Sequence, residues 1–174
     1  MIEDPVLRQR YSFDRTTDAD GAEVLHVDAW IDPGGGVTPH KHPAMEERFH
    51  VVAGRADFLA GKQWHTAAAG EEVVVPPGVR HAYRNTGDEV AHVRCDAQPP
   101  SSLQGFLEEV AQLSQAGLIT RKGLPRRPSA LLRAAVMAER HRDMVTLQFP
   151  PMPPPFLQRL LFPPLARLGR RRGY

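Results

Sequence analysis

Two stretches decide how this chain is read: GGGVTPHKHPAMEERFHVVAG, residues 34–54, and GEEVVVPPGVRHAYRN, residues 70–85. The first carries His40, His42 and Glu47 between Gly34 and Gly54. The second carries Pro76, Gly78, His81 and Asn85 after Gly70. Side chains two apart on a strand share a face, so His40 and His42 point the same way. Pro43 interrupts that strand, and a new run starts near Glu46 with Glu47, Phe49 and Val51 on one face. Gly54, able to take a positive φ, closes it. The turn Pro76-Pro77-Gly78 introduces a later strand carrying His81. If these strands pair in one curved sheet, His40, His42, Glu47 and His81 meet on its inner face. Neutral imidazole with carboxylate suits one divalent transition metal, Fe, Mn, Ni, Cu or Zn, better than Ca or Mg. Such a donor set on an octahedral ion leaves positions open for water, oxygen or a bidentate substrate.

Both stretches resemble the signature motifs of the cupin superfamily, G-x5-H-x-H-x3,4-E-x6-G and G-x5-P-x-G-x2-H-x3-N. Every fixed position is matched, from Gly34 to Gly54 and from Gly70 to Asn85, with Arg55 to Ala69 between the motifs. The resemblance covers roughly the first hundred residues. It implies a mainly β fold, a small antiparallel jelly-roll β-barrel. It also implies that His40, His42, Glu47 and His81 are the metal ligands, and that Asn85 is structural.

The chain of 174 residues suffices for one ordinary domain with an appendage. The single cysteine, Cys95, excludes an internal disulfide and points to a reducing, cytoplasmic location. The N-terminus reads as no signal peptide, and no apolar run approaches a membrane span. The net charge of +2 hides an asymmetry. Residues 1–99 hold 10 Lys/Arg against 16 Asp/Glu, whereas residues 100–174 hold 12 against 4. The second part is also proline-rich. This shift places a boundary near Gln98-Pro99-Pro100, between a barrel of residues 1–99 and a basic, helical, proline-rich extension of residues 100–174. Scattered charges without interleaved aromatics argue against a nucleic-acid surface.

Read in order, Leu7 to Thr16 forms a first strand with Tyr11 and Phe13 on one face. Asp20-Gly21 is a hairpin turn. Residues 23–31 alternate Leu25, Val27, Ala29 and Ile31 with polar residues, a strand with one buried face. Strands follow at Ala56–Ala60, Gln63–Thr66, the valine run before Pro76, and Val90–Asp96, giving eight or nine in all. His50 is out of phase with Glu47. His26, His65, His92 and His141 lack ligand spacing and read as surface or interface residues. Cys95 reads as a small core residue. Beyond Pro100 the period becomes helical. Ser101 and Gln104 form a capping box, Leu103 to Leu113 carries an apolar face, and Gly117 is the stop. A second helix spans Ser129 or Ala130 to about His141, with Leu131, Leu132, Ala135 and Val136 apolar. A proline loop, Pro150 to Pro155, leads to a last segment, Phe156 to Leu168, broken or kinked at Pro163-Pro164.

Two function classes fit. One is a metal-dependent enzyme of dioxygenase, decarboxylase or isomerase type acting on a small molecule. Its pocket would be lined by Phe49, Val51, Phe58 and Tyr83, with Tyr83 as a candidate catalytic donor or wall residue. The other is a non-catalytic small-molecule binder or sensor. The extension is expected to pack on the barrel and help a homodimer form, leaving metal binding independent of it. A membrane-surface role for its leucines and arginines is the less favoured alternative, because the prolines oppose a long interfacial helix.

Overall fold

The computed structural model describes residues 1–147 and 153–174. The chain begins with β1 (Ile2–Asp4) and β2 (Gln9–Thr17), which pairs with β3 (Glu23–Ile31) as a hairpin. The turn is fixed by Asp18, whose carboxylate accepts from the amides of Asp20 and Ala22. Leu25, Val27, Ala29 and Ile31 are buried on β3, as their alternation predicts. Short β4 (His40–Lys41) precedes β5 (Glu46–Ala53), β6 (Arg55–Ala60), β7 (Gln63–Ala68), β8 (Glu72–Val75), β9 (His81–Arg84) and β10 (Ala91–Gln98). On β8, Val75 is buried and Val74 exposed.

The strands form two antiparallel sheets, ordered β1-β2-β3-β10-β5-β8 and, with β11 (Thr146–Leu147), β11-β4-β9-β6-β7. These are the two sheets of the expected jelly roll; the barrel itself is not closed, since no ladder joins the two sheets among the described residues. Pro39 and Pro43 confine β4 to two residues, and Pro76-Pro77 ends β8, each removing a backbone donor. The inner faces share one core that includes Tyr11, Ile31, Phe49, Phe58 and Val93.

Two close approaches hold the site end of this sandwich. Gly36 has φ +145°, and a Cβ there would lie 2.4 Å from the Tyr83 carbonyl oxygen. The loop leading to His40 can therefore lie directly on β9. Asn85 is 1% exposed and pins the other side. Its amide donates to the carbonyls of Ile31 (2.8 Å) and Glu89 (2.7 Å), and its Oδ1 accepts from the Gly87 amide. The structural role implied for Asn85 is thus visible bond by bond.

The extension forms α1 (Leu103–Gln115), α2 (Pro128–Arg140) and α3 (Pro155–Arg171). Leu103, Phe106 and Leu107 of α1 pack into the sandwich core. The expected capping box is absent. Ser102, not Ser101, is the N-cap and makes no side-chain cap. Its hydroxyl pairs with His141 instead, and Gln104 turns to Glu108. On α2, Leu131 is exposed, while Ala130 and Met137 join Leu132, Ala135 and Val136 in burial. Helix α3 runs through Pro163 and Pro164 without ending. Packing on α2 offsets the lost donors: a Cβ on Gly169 would lie 2.7 Å from Val136 Cγ2. Pro150 and Pro151 of the expected proline loop lie outside the described residues. No helix among the described residues is long and apolar enough to cross a membrane.

Because Asn85 is buried with three hydrogen bonds, Asn85→Ala leaves backbone groups unpaired. We expect a loss of about 2–4 kcal/mol of unfolding free energy. Urea denaturation checks this, as a lower midpoint at unchanged m-value.

Candidate metal centre

His40 and His81 face each other across the β4–β9 pair. Their ring centroids are 4.1 Å apart. His42, just beyond β4, lies 5.0 Å from His40 and 5.2 Å from His81 by the same measure. Glu47 reaches in from β5 on the facing sheet. One ligand atom from each of the four lies within 4.8 Å of the others. The sequence motif therefore assembles as the strand phases require.

Hydrogen bonds behind the rings orient them. Each Nδ1 meets a backbone carbonyl at 2.9 Å: His40 that of Thr38, His42 that of Met144, and His81 that of Val79. A carbonyl can only accept, so each Nδ1 carries a proton, and each ring in its neutral form turns a bare Nε2 inward. His81 Nε2 comes to 2.7 Å from Glu47 Oε2, and His42 Nε2 to 3.5 Å. Neither contact has hydrogen-bond alignment, and all three atoms are buried without a partner. Unpaired buried groups of this kind cost about 1–3 kcal/mol each. A cation between them satisfies all three, so the donor set fits a divalent transition metal.

The protonation states of Glu47, His40 and His42 suit this, whereas His81 is drawn the other way until a cation competes with its proton. Burial pushes the Glu47 carboxyl up, but His81, His42 and His40 together outweigh it and hold its pKa at about 2. Burial lowers His40 well below the usual imidazole value, helped by His81 and His42. Burial also lowers His42, against the pull of Glu47. For His81 burial acts downward too, but the Glu47 carboxylate overcomes it and the net shift is upward.

A cavity of about 140 Å³ borders His40, His42 and Glu47. Phe49 and Tyr83 line it as expected, whereas Val51 and Phe58 do not and belong to the core. The Tyr83 hydroxyl donates to Gln9 Oε1 at 2.9 Å. Much of the remaining wall comes from the extension, through Leu103, Phe106 and Leu107 of α1 and Val145 and Leu147 around β11. The extension thus reaches the ligands themselves, since the Met144 carbonyl also orients His42. No sequence signal marks Met144, because it acts through a carbonyl that every residue has. Tyr11 also lines the cavity, and its inward phase on β2 was readable.

The other histidines stand apart from the centre. His50 lies between Glu72 and Asp96, His26 pairs with Asp96, and His92 pairs with Asp28. His141 is not a surface residue: it is 3% exposed and bonded to Ser102. Cys95 is buried, with its Sγ 3.7 Å from Glu47 Oε1.

In the metal-free chain at pH 8 we expect His40 and His42 as neutral Nδ1–H tautomers, the minority form of free imidazole in water. Long-range 1H–15N correlation spectra read this directly. Nε2–H signals for both rings would contradict the anchoring described above.

Comparison with known proteins agrees with this architecture. A family model described as "Cupin domain" matches residues 29–95. Protein SchB of Streptomyces halstedii is 31% identical over 96 residues, covering 53% of this chain and 70% of SchB. Polyketide synthase CurC of Streptomyces cyaneus is 34% identical over 65 residues, 37% of this chain and 42% of CurC. Among solved structures, KdgF from Halomonas sp. superposes with a TM-score of 0.50 at 16% identity, covering 59% of this chain and 90% of KdgF, a likeness of fold alone. With both motifs intact on a two-sheet β sandwich, the chain belongs to the cupin family.

Proposed function

We propose that the chain holds one divalent transition metal at His40, His42, Glu47 and His81, and uses it to bind and transform a small, largely apolar organic molecule through an oxygen donor. The observation carrying this reading is the convergence of buried, unpartnered donor atoms beside a cavity. A purely structural metal site is closed by protein ligands, whereas a working site keeps a side open. Here the open side borders apolar walls from Phe49, Leu103, Phe106 and Leu107. A cavity of about 150 Å³ accepts a benzene-sized molecule, so a single ring sets the scale of what enters.

A metal bound there supplies Lewis-acid polarisation or redox chemistry, the basis of dioxygenase, decarboxylase and isomerase reactions. The chain's own residues do the rest. The Nδ1–carbonyl bonds hold the imidazoles in register, the apolar walls exclude water, and Tyr83 presents a hydroxyl whose proton is engaged by Gln9. The name of one relative, polyketide synthase, fits the same class of molecule, an apolar skeleton carrying oxygen. A cytoplasmic location accords with the free, buried thiol of Cys95. A passive binder would use the same cavity; metal-dependent turnover of a phenol or diketone separates the two.

Purified protein should carry about one metal per chain. His42→Ala with His81→Ala should lose most of it, together with the metal-induced rise in melting temperature. Elemental analysis and thermal melts check this. A double variant that holds metal as tightly as the parent chain overturns the assignment.

A further inference from the structure

Behind the cavity wall at Tyr11 and Tyr83 lies a second polar cluster that the metal ligands do not explain. Asp4, Gln9 and Tyr11 are 1%, 2% and 1% exposed, yet Asp4 Oδ2, Gln9 Nε2 and the Tyr11 hydroxyl have no hydrogen-bond partner. Tyr11 neighbours Gln9 and Tyr83 without an aligned bond to either. Tyr83 and Tyr11 both border the cavity. Gln9 and Tyr11 are two apart on β2 and face inward together, while Tyr83 follows His81 by two on β9.

Two residues along a strand span about 6.6 Å, close to the length of one six-membered ring with a substituent. The Phe49 ring bridges the two poles, its centroid 6.5 Å from that of His81 and 5.9 Å from that of Tyr83. At the far pole Tyr11 is the cavity-lining donor left free, since Tyr83 has already given its proton to Gln9 Oε1, and Gln9 stands behind the pair. Asp4 is held there through its Oδ1, which accepts from the amides of Val6 and Leu7 and from the Ser114 hydroxyl. Its carboxyl group gives a formal anion nothing to gain at that end.

We propose that Tyr11, buttressed by Gln9 and Tyr83, is a ligand-binding residue that donates a hydrogen bond to an uncharged carbonyl-type oxygen on the end of the ligand remote from the metal. The site thus selects a bifunctional molecule, one oxygen function at the His40–His42–Glu47–His81 end and a second about one ring away. This rests on the proposed metal-dependent function and adds the residue that sets which molecules fit.

The test uses the full-length, zinc-loaded chain and two probes of matched shape. 4-Methylcatechol can bind metal but has no distal acceptor; 3,4-dihydroxybenzaldehyde has one. Calorimetric Kd values for both probes, in the parent chain and in Tyr11→Phe, form a cycle in which intrinsic metal affinity cancels. A neutral hydrogen bond predicts that the aldehyde's advantage falls by about threefold to tenfold in Tyr11→Phe. The Kd for 4-methylcatechol and the metal content should stay unchanged. Tyr11→Phe removes an unpartnered hydroxyl, so its melting temperature should equal or exceed the parent's, which excludes misfolding as the cause. An advantage altered less than twofold overturns the inference while leaving the metal site standing. Loss of zinc binding or of 4-methylcatechol binding in the parent chain defeats the metal-site reading, and the inference falls with it.

Discussion

The structure depends on one electrostatic arrangement: three imidazole lone pairs and a carboxylate, withdrawn from water and aimed at a common point. Apolar burial alone would make that arrangement costly, since Glu47 Oε2 and the Nε2 atoms of His42 and His81 have given up water without gaining a partner. The surrounding fold is organised to hold it. Paired strands set His40 against His81, the facing sheet brings Glu47, and backbone carbonyls fix the rings from behind. Each carbonyl accepts from its ring's Nδ1, which favours one orientation of the imidazole.

The extension has a larger part in the site than an appendage would. Met144 lies far along the chain from His42, yet its carbonyl sets that ring's orientation. The following residues, Thr146 and Leu147, add a strand beside His40 and Lys41. Helix α1 then walls the cavity. Helix α3 is different in kind. It packs on α2, leaving Phe156 and Leu160 70% and 68% exposed. Its Gln158 still reaches β11, donating to the Leu147 carbonyl.

The ligands were legible because their chemistry lies in side chains at fixed spacing. Strand periodicity placed Glu47 inward and His50 outward, and both are so placed. What escaped the sequence acts through backbone or through long-range packing. Met144 contributes a carbonyl, for which there is no residue code. The expected cap at Ser101 failed because the Ser102 hydroxyl had a better partner in His141, a contact no local pattern reveals. Pro163 and Pro164 were expected to break or kink the last segment; it does not break, since α3 continues through both while packing tightly on α2 at Gly169. The motifs implied the jelly roll, but they carry no signal for how far its two sheets join at their edges. The second polar pole was half visible: Gln9 is a polar residue in the inward phase of a strand otherwise leading to Tyr11 and Phe13.

The central claim is that His40, His42, Glu47 and His81 together form a single mononuclear metal site. X-ray absorption at the metal edge of the full-length protein tests it most directly. The account predicts a first shell of nitrogen and oxygen donors with the multiple-scattering signature of about three imidazoles, and no sulfur from nearby Cys95. A sulfur donor, a metal–metal vector, or a shell without imidazole scattering would contradict it.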